Sequence, residues 1–210
     1  MTRVRIKFCG ITRPEDAHTA VALGVDAIGL VLTHRSKRFT GLARAQEIRS
    51  ALPPFVAAVT LFMDDDPDWI DAAIDAIRPD LLQFHGGETS AECMRYRRPY
   101  LKVIAMGEPG DASAAMAAHP EASGFLFDSH ARGEQGGTGA TFDWTRIPPT
   151  PPRPLILAGG LTCDNVAQAI RAVRPYAVDV SSGIESAPGI KDSEKMRRFV
   201  DEVRRAGEKD

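Results

Sequence analysis

Residues 155–183 have the sequence LILAGGLTCDNVAQAIRAVRPYAVDVSSG, and this stretch contains the repeating unit of the whole chain. The apolar run Leu155–Ala158 is typical of a buried strand, and a helical pattern follows from about Asp164 to Val173. A second apolar run, Ala177–Ser181, comes next. Continuous apolar strands that alternate with helices predict a parallel sheet covered by helices.

The same alternation extends along the rest of the chain. The predicted strands are Val4–Cys9, Asp26–Leu32, Phe55–Phe62, Leu81–Phe84, Tyr100–Ala105, Gly124–Asp128, Leu155–Ala158 and Ala177–Ser181. The predicted helices cover residues 14–23, 42–52, 64–77, 90–96, 111–118, 142–147 and 164–173, and a last helix starts near Asp192. Eight strand-helix units predict an α/β fold, a single-domain (β/α)8 TIM barrel over residues 1–210.

An open, doubly wound sheet is the main alternative to a closed barrel. Eight units fit the barrel, and no strand-to-helix turn carries the GxGxxG or GxxxxGK[ST] motif that nucleotide-binding open sheets use. The barrel is therefore the preferred interpretation, although 210 residues make it shorter than the usual ~250.

Composition argues against several classes of protein. Lys and Arg total 26 and Asp and Glu total 28, so the net charge is −2 and no nucleic-acid partner is expected. No stretch approaches the ~18 apolar residues that span a membrane, and the N-terminus lacks the apolar core of a signal peptide. The three cysteines, Cys9, Cys93 and Cys163, are an odd number, so a disulfide framework is not expected, and no two are close enough in sequence to suggest a zinc pair. A cytoplasmic protein without membrane contact is expected.

The active site of such a barrel lies where the strands end and the strand-to-helix loops begin. The candidates at those positions are Cys9, Arg38, Asp64, His85, Asp128, Gly159-Gly160 and Ser182-Gly183. The last two groups follow strands seven and eight, whose loops most often bind phosphate in this fold. Glycine lets backbone N–H groups approach an anion closely, so a phosphorylated small molecule is predicted. Two ordinary tight turns are the alternative.

Cys9 is a candidate catalytic thiol and Asp128 a candidate general acid. Lys7 lies on the same face of the first strand as Cys9, and a nearby cation favours a thiolate. Alternatively, Cys9 is a small core residue and Lys7 pairs with an acid such as Asp179 inside the barrel. The apolar residues before Asp128 would raise its pKa and keep it protonated, whereas a turn or cap role is the alternative.

A basic run, Arg35-Ser36-Lys37-Arg38, follows the second strand at the predicted mouth of the barrel. The planar guanidinium of Arg38 suits an anionic substrate group, although such runs are usually solvated loops. His85, after the fourth strand, is predicted to be either a cap or a ligand for substrate.

In order along the chain, these residues resemble the motifs of the phosphoribosylanthranilate isomerase family. The matching segments are KFCGIT at 7–12, SKR at 36–38, QFHG at 83–86, LFDS at 126–129, GGTG at 136–139 with FDW at 142–144, LAGGL at 157–161 with Asn165, and VDVSSGIE at 178–185. Each segment is short, but the ordered set covers essentially the whole chain.

The resemblance implies an enzyme of tryptophan biosynthesis that needs no metal or organic cofactor. Its reaction is the Amadori rearrangement of N-(5-phosphoribosyl)anthranilate to 1-(2-carboxyphenylamino)-1-deoxyribulose 5-phosphate. The roles it implies are general base for Cys9, general acid for Asp128, contact with the anthranilate end for Arg38, a place beneath the substrate for Asp179, and phosphate binding for Gly159, Gly160, Ser182 and Gly183. His85 is a further substrate-binding candidate.

The chain departs from the commonest family wording at residues 32–35, at Phe84 and at Asp64, but not at Cys9 or Asp128. Related sugar-phosphate barrels are disfavoured. The indole-forming synthase uses Lys and Glu, the histidine-pathway isomerase has Asp where this chain has Cys9, and metal-dependent pentose epimerases need His and Asp ligands on several strand ends. A non-catalytic phosphate-binding barrel is the alternative of a different class. The sequence leaves open whether the protein is a monomer or a homodimer and whether the glycine-rich loop 133–139 closes over substrate.

Overall fold

Eight parallel strands close into a barrel in the computed structural model, which describes residues 3–107, 110–130 and 141–207. The strands are β1 (Arg5–Cys9), β2 (Ala27–Val31), β3 (Ala57–Phe62), β4 (Leu81–Phe84), β5 (Tyr100–Ala105), β6 (Gly124–Asp128), β7 (Leu155–Leu157) and β8 (Ala177–Val180). They follow one another around the barrel in chain order, and β8 pairs with β1, with Lys7 opposite Asp179. The predicted (β/α)8 fold class is confirmed.

Helices cover the outside of the barrel. They are α1 (Pro14–Leu23), α2 (Leu42–Ala51), α3 (Pro67–Ile77), α4 (Ser90–Met94), α5 (Ala112–Ala117), α6 (Val166–Val173) and α7 (Ser193–Gly207). Where a short helix is predicted over 142–147, the structure has a single 3-10 turn, Trp144–Arg146, because Pro148 and Pro149 follow and cannot continue a helix. None of the helices in the described ranges has the length and apolar character needed to cross a bilayer.

Local signals account for the helix ends. Pro14 stands at the first position of α1, and Gly24 ends the helix in the left-handed conformation, with φ of 79°. Thr89 and Glu92 form a reciprocal capping box at the start of α4. These signals are local in sequence, which is why the predicted boundaries agree so closely with the observed ones.

Apolar side chains fill two layers. The larger layer lies between the strands and the helices, where the rings of Phe8 on β1 and Phe199 on α7 meet edge to face at 6.1 Å. The smaller layer lies inside the barrel and consists of Leu101, Val103, Leu126, Ile156, Ala158 and Ala177. Because side chains alternate along a strand, this inner face also carries Cys9, Gln83, Asp128 and Asp179 at the barrel mouth.

A small antiparallel hairpin follows β8 and was not predicted from the sequence. Its strands are β9 (Glu185–Ala187) and β10 (Ile190–Lys191), and Gly189 in the turn has φ of 79°. The Pro188-Gly189 pair is a turn signal that marks such a hairpin. The hairpin matters for the site because it brings Glu185 and Lys191 to the mouth of the barrel.

Candidate active site

A pocket opens where the strands end. It is lined by Cys9, Val31, Thr33, Ser36, Arg38, Leu61, Met63, Gln83, His85, Asp128, Ala158, Gly159, Gly160, Leu161, Asp179, Val180, Ser181 and Ser182. Of the candidates predicted from the sequence, Gly183 and Asp64 are outside this lining and the others belong to it. The fold therefore gathers residues that are up to 173 positions apart (9 to 182) around one pocket at the mouth of the barrel.

Cys9 ends β1 and packs against Val31 and Leu61, with only 6% of its surface exposed. Gly29 on the neighbouring strand makes this position possible, because a Cβ there would lie 2.7 Å from Cys9 Sγ. Burial raises the pKa of the Cys9 thiol, and the nearby Lys7 ammonium lowers it by less, so the net shift is upward. Lys7 favours the thiolate of Cys9, as predicted, but burial has the larger effect on the pKa of the thiol.

Lys7 forms a buried ion pair with Asp179, in which Lys7 Nζ lies 2.8 Å from Asp179 Oδ1. Burial lowers the pKa of Lys7, but the charge of Asp179 and the proximity of Cys9 together raise it above its ordinary value. Lys7 is therefore an ammonium at neutral pH. The pair of Lys7 with Asp179, which the sequence offered as the structural alternative, is therefore present inside the barrel. Asp179 also lines the cavity.

Asp128 ends β6 and is 7% exposed. The imidazole Nδ1 of His130 lies 3.5 Å from Asp128 Oδ1, and the His130 backbone N–H donates to the same oxygen at 3.4 Å. Burial raises the pKa of Asp128, but the close contact with the His130 side chain and the electrostatic interactions with His85 and His130 shift the pKa below its ordinary value of 3.8. The expectation of a raised pKa is wrong for the free enzyme, because His130 outweighs the apolar strand.

His85 follows β4 and stacks on His130, with ring centroids 4.2 Å apart. Burial and the neighbouring His130 lower the pKa of His85 to about 3, so its imidazole is neutral. Neither ring nitrogen has a hydrogen-bond partner among the described residues, so the cap role considered from the sequence is not observed there. Its position in the cavity lining is consistent with the alternative, a ligand for substrate.

Arg38 is held by an acid that the sequence analysis did not single out. Its Nε and Nη2 donate to the two carboxylate oxygens of Glu185 at 2.8 and 2.7 Å, and Lys191 Nζ lies 2.8 Å from Glu185 Oε1. Gly10 leaves room for this side chain, since a Cβ there would lie 2.5 Å from Arg38 Cδ. One edge of the guanidinium is therefore committed to Glu185, and an anion in the cavity must use the other N–H groups.

The loop after β7 contains two consecutive glycines in the left-handed conformation. Gly159 and Gly160 have φ of 79° and 64°, a region that other residues rarely adopt. The side chain of Asn165 braces the loop, because its Nδ2 donates to Gly160 O at 2.9 Å and its Oδ1 accepts from Thr162 N at 2.8 Å. The glycine pair thus presents its backbone to the cavity from a fixed turn.

The loop after β8 packs directly against the loop after β7. Ser182–Ile184 form one 3-10 turn, and Gly183 lies against the backbone of Leu161. A Cβ on Gly183 would lie 1.9 Å from Leu161 O, so no other residue fits without moving the turn. Gly183 does not line the cavity. Because it has no side chain, it allows the two loops to approach each other closely.

Asp64 and the loop 133–139 are the two remaining candidates from the sequence. Asp64 is not in the lining, and it accepts a hydrogen bond from Gly87 N at 2.7 Å, so it shapes the β4–α4 loop. The loop 133–139 lies outside the described residues. Sequence reasoning missed His130 as a neighbour of Asp128 and Glu185 as the partner of Arg38. The Asp128-Ser129-His130 spacing is a local signal for the first, but nothing local indicates the second, since 147 residues separate the pair.

The model of the family described as N-(5'-phosphoribosyl)anthranilate (PRA) isomerase matches residues 6–202. The chain belongs to the N-(5'-phosphoribosyl)anthranilate isomerase family. The family resemblance inferred from the motifs is thus confirmed. Its relatives include the N-(5'-phosphoribosyl)anthranilate isomerase of Xanthomonas campestris pv. campestris, which is 52% identical over 97% of this chain and 95% of that protein.

Solved structures of the isomerase family are similar over almost the whole chain. A phosphoribosylanthranilate isomerase in complex with reduced 1-(o-carboxyphenylamino)-1-deoxyribulose 5-phosphate has a TM-score of 0.81 and 34% identity, covering 95% of this chain and 98% of that one. Monomers generated from the dimeric isomerase of Thermotoga maritima have a TM-score of 0.80 and 32% identity, with the same coverage. These likenesses support the isomerase over the other sugar-phosphate barrels considered from the sequence.

Proposed function

We propose that this chain converts N-(5'-phosphoribosyl)anthranilate into 1-(2-carboxyphenylamino)-1-deoxyribulose 5-phosphate in tryptophan biosynthesis, with Asp128 as general acid and Cys9 as general base. The observation that carries the assignment of roles is the arrangement of the cavity. Cys9 ends β1 and Asp128 ends β6, and the strands between them in the barrel, β7 and β8, carry the two glycine-containing loops. A phosphate held by those loops would leave the sugar between the acid and the base.

In the first step, Asp128 gives its proton to the furanose ring oxygen. The bond between that oxygen and C1 breaks, and the nitrogen lone pair forms the C1–N double bond of an iminium ion. Positioned proton transfer of this kind contributes typically ~10²–10⁴-fold to the rate. The free carboxyl is mostly ionised, but the negative charges of the bound substrate would raise the pKa of Asp128 and favour its protonated form.

In the second step, the thiolate of Cys9 removes the proton from C2. The electrons of that C–H bond form the C1–C2 double bond, and the C1–N pair returns to nitrogen, which gives an enolamine that tautomerises to the ketone. The iminium charge makes C2–H more acidic and also lowers the pKa of the nearby Cys9 thiol. Because the substrate is its own electron sink, the proposed chemistry requires no cofactor.

The free-enzyme pKa shifts predict an unusual pH profile. The active form needs protonated Asp128 and ionised Cys9, but the pKa of Asp128 is shifted below 3.8 and the pKa of Cys9 above 9.0. When the acid has the lower pKa and the base the higher, the fraction of the active form is constant between them. We therefore expect kcat/KM to be flat from about pH 7, where the substrate phosphate is already ionised, to about pH 8.5. A tenfold fall per pH unit in that range would mean that both groups are already ionised there, so that the pKa of Cys9 is not raised but lies below the range.

Gly183→Ala tests the phosphate assignment. The new Cβ would collide with Leu161 O, so the turn after β8 must move away from the glycine pair. Loss of one charged hydrogen bond costs about 1.5–3 kcal/mol, so we expect KM to rise about tenfold or more with a smaller change in kcat. Gly41→Ala is the matched control, because a Cβ at Gly41 meets nothing within 4 Å. An unchanged KM in a folded Gly183→Ala protein would refute this phosphate site.

The overall function is tested by supplying purified protein with freshly prepared phosphoribosylanthranilate. Loss of anthranilate fluorescence is followed with time, and the product is identified by its mass and by the ketone signal in its NMR spectrum. Turnover that the reduced product inhibits competitively supports the proposal. A protein that binds phosphorylated compounds without turnover would instead support a non-catalytic barrel.

The remaining expectations extend this proposal. We infer one barrel domain over residues 1–210, a monomer or homodimer, no nucleic-acid partner and a cytoplasmic location. Their support is the closed barrel of the described residues and the net charge of −2, and for oligomeric state the dimeric Thermotoga maritima relative from which monomers were generated. Sedimentation at micromolar concentration distinguishes the monomer from the homodimer.

A further inference from the structure

Three ionisable side chains meet on one side of the cavity and offer more than the proposed proton transfer uses. His85, Asp128 and His130 each offer one ligand atom, and these atoms all lie within 4.8 Å of one another. All three side chains are buried, with 8%, 7% and 2% of their surfaces exposed. His85 is a candidate for substrate binding, but the isomerisation as proposed assigns no proton transfer to either imidazole.

The imidazole nitrogens of this cluster lack partners. His85 Nδ1, His85 Nε2 and His130 Nδ1 make no hydrogen bond to any residue that the structure describes. A buried polar atom without a partner costs about 1–3 kcal/mol, so such atoms usually serve a ligand, an ion or water. A neutral imidazole has one nitrogen with a free lone pair, and that lone pair is a metal ligand.

We propose that His85, Asp128 and His130 form a binding site for a divalent transition metal of the Zn²⁺ class, and that the bound metal inhibits the isomerase. Two imidazole nitrogens and one carboxylate oxygen are a donor set that Zn²⁺ and its neighbours use with an open fourth position. The proposed metal is an inhibitor rather than a cofactor.

The spacing of the cluster is close to that of such a site. Bonds of ~2.0–2.2 Å place the ligands of a tetrahedral zinc ion about 3.3 Å apart. Asp128 Oδ1 and His130 Nδ1 are already at 3.5 Å. The ligand atoms of all three residues lie within 4.8 Å of one another, so a pair at that limit would have to approach by about 1.5 Å when the metal binds.

Inhibition follows from what the metal would occupy. It would take the carboxylate that acts as the proposed acid, and His85 and Asp128 both line the substrate cavity. Metal and substrate would therefore compete. Metal binding itself is independent of the proposed function, and only the inhibition depends on it.

Metal binding is measured first, without substrate. Metal-free protein is titrated with Co²⁺, whose visible absorption reports coordination, and with Zn²⁺ by calorimetry. We expect one equivalent per chain for the wild type. We expect affinity to be at least about 100-fold weaker in His130→Ala, since loss of an outer-shell partner alone costs ~10–100-fold. His18→Ala, on the exposed surface of α1, is the matched control and should bind like the wild type.

The cysteines are the competing explanation, because Cys9 lines the same cavity. A thiolate ligand would give an intense near-ultraviolet charge-transfer band with Co²⁺, which our site should lack. Binding that survives in His130→Ala, or that shows this band, would overturn the proposal. Failure to bind Co²⁺ and Zn²⁺ in a protein that still turns over substrate would overturn it too, and would leave the isomerase assignment intact. Inhibition by Zn²⁺ that a chelator reverses, and that weakens in His130→Ala, completes the test.

Discussion

Cys9→Ser is expected to lower kcat/KM by about 10²–10⁴-fold, which corresponds to about 3–5 kcal/mol of transition-state stabilisation. The serine hydroxyl has nearly the same size, so it fits the space that Gly29 leaves beside Val31 and Leu61. Its pKa is far above that of a thiol, however, and neither the Lys7 ammonium nor the iminium charge would ionise it. The variant should still bind the reduced product, because Cys9 is assigned to proton removal and not to phosphate binding.

Cys163→Ser provides the control for this substitution. Cys163 is also a buried free thiol, and its Sγ donates to Lys195 O at 3.3 Å on the outside of the barrel, away from the cavity lining. It should keep near wild-type kcat/KM, with any effect confined to stability. Equal activity in Cys9→Ser and Cys163→Ser would remove Cys9 from the mechanism.

Asp128→Asn is expected to lower kcat/KM by a similar factor of about 10²–10⁴. The amide keeps the shape of the carboxyl but has no acidic proton to give to the ring oxygen. The loss should appear in kcat, because the assignment has Asp128 act on the transition state rather than in ground-state binding. The variant also changes the contact in which Asp128 Oδ1 lies 3.5 Å from His130 Nδ1, so its folding is checked by thermal unfolding.

The matched control for this variant is Asp111→Asn. Asp111 caps α5 and accepts from Ser113 N and Ala114 N at 2.9 and 3.0 Å, and Asn caps helices equally well. This protein should retain full activity. If Asp128→Asn were equally active, the proton of the first step would have to come from another group or from water.

Most of the fold is encoded in signals that act over a few residues. The predicted bounds of β4, β5 and β6 agree with the structure because turn residues flank each apolar run. The helix predicted over 142–147 shrank to a single 3-10 turn, because the prolines that follow prevent its continuation. The β9–β10 hairpin was missed although its Pro-Gly turn is visible, because no further strand was expected after the eighth unit.

The candidate site was predictable as a set of positions but not as a set of interactions. The carboxyl ends of parallel strands meet at one rim of a barrel. Cys9, Asp128 and the two glycine-containing loops all follow strand ends, so their proximity could be predicted. The ion pair of Arg38 with Glu185 and the direction of the pKa shift at Asp128 depend on contacts through space. The first joins residues 147 positions apart, and the second depends on the orientation of the His130 ring. A sequence pattern indicates neither the contact between Arg38 and Glu185 nor the orientation of the His130 ring.

Asp128 and Cys9 are assigned to different steps, because Asp128 opens the ring and Cys9 removes the proton from C2. The most direct test is the kinetic isotope effect on kcat/KM for substrate that carries deuterium at C2 of the ribose, measured on Cys9→Ser and Asp128→Asn. We expect a large primary isotope effect in Cys9→Ser, where proton removal limits the rate, and almost none in Asp128→Asn, where ring opening limits it. The reverse pattern, or an equal effect in both variants, would contradict the assignment.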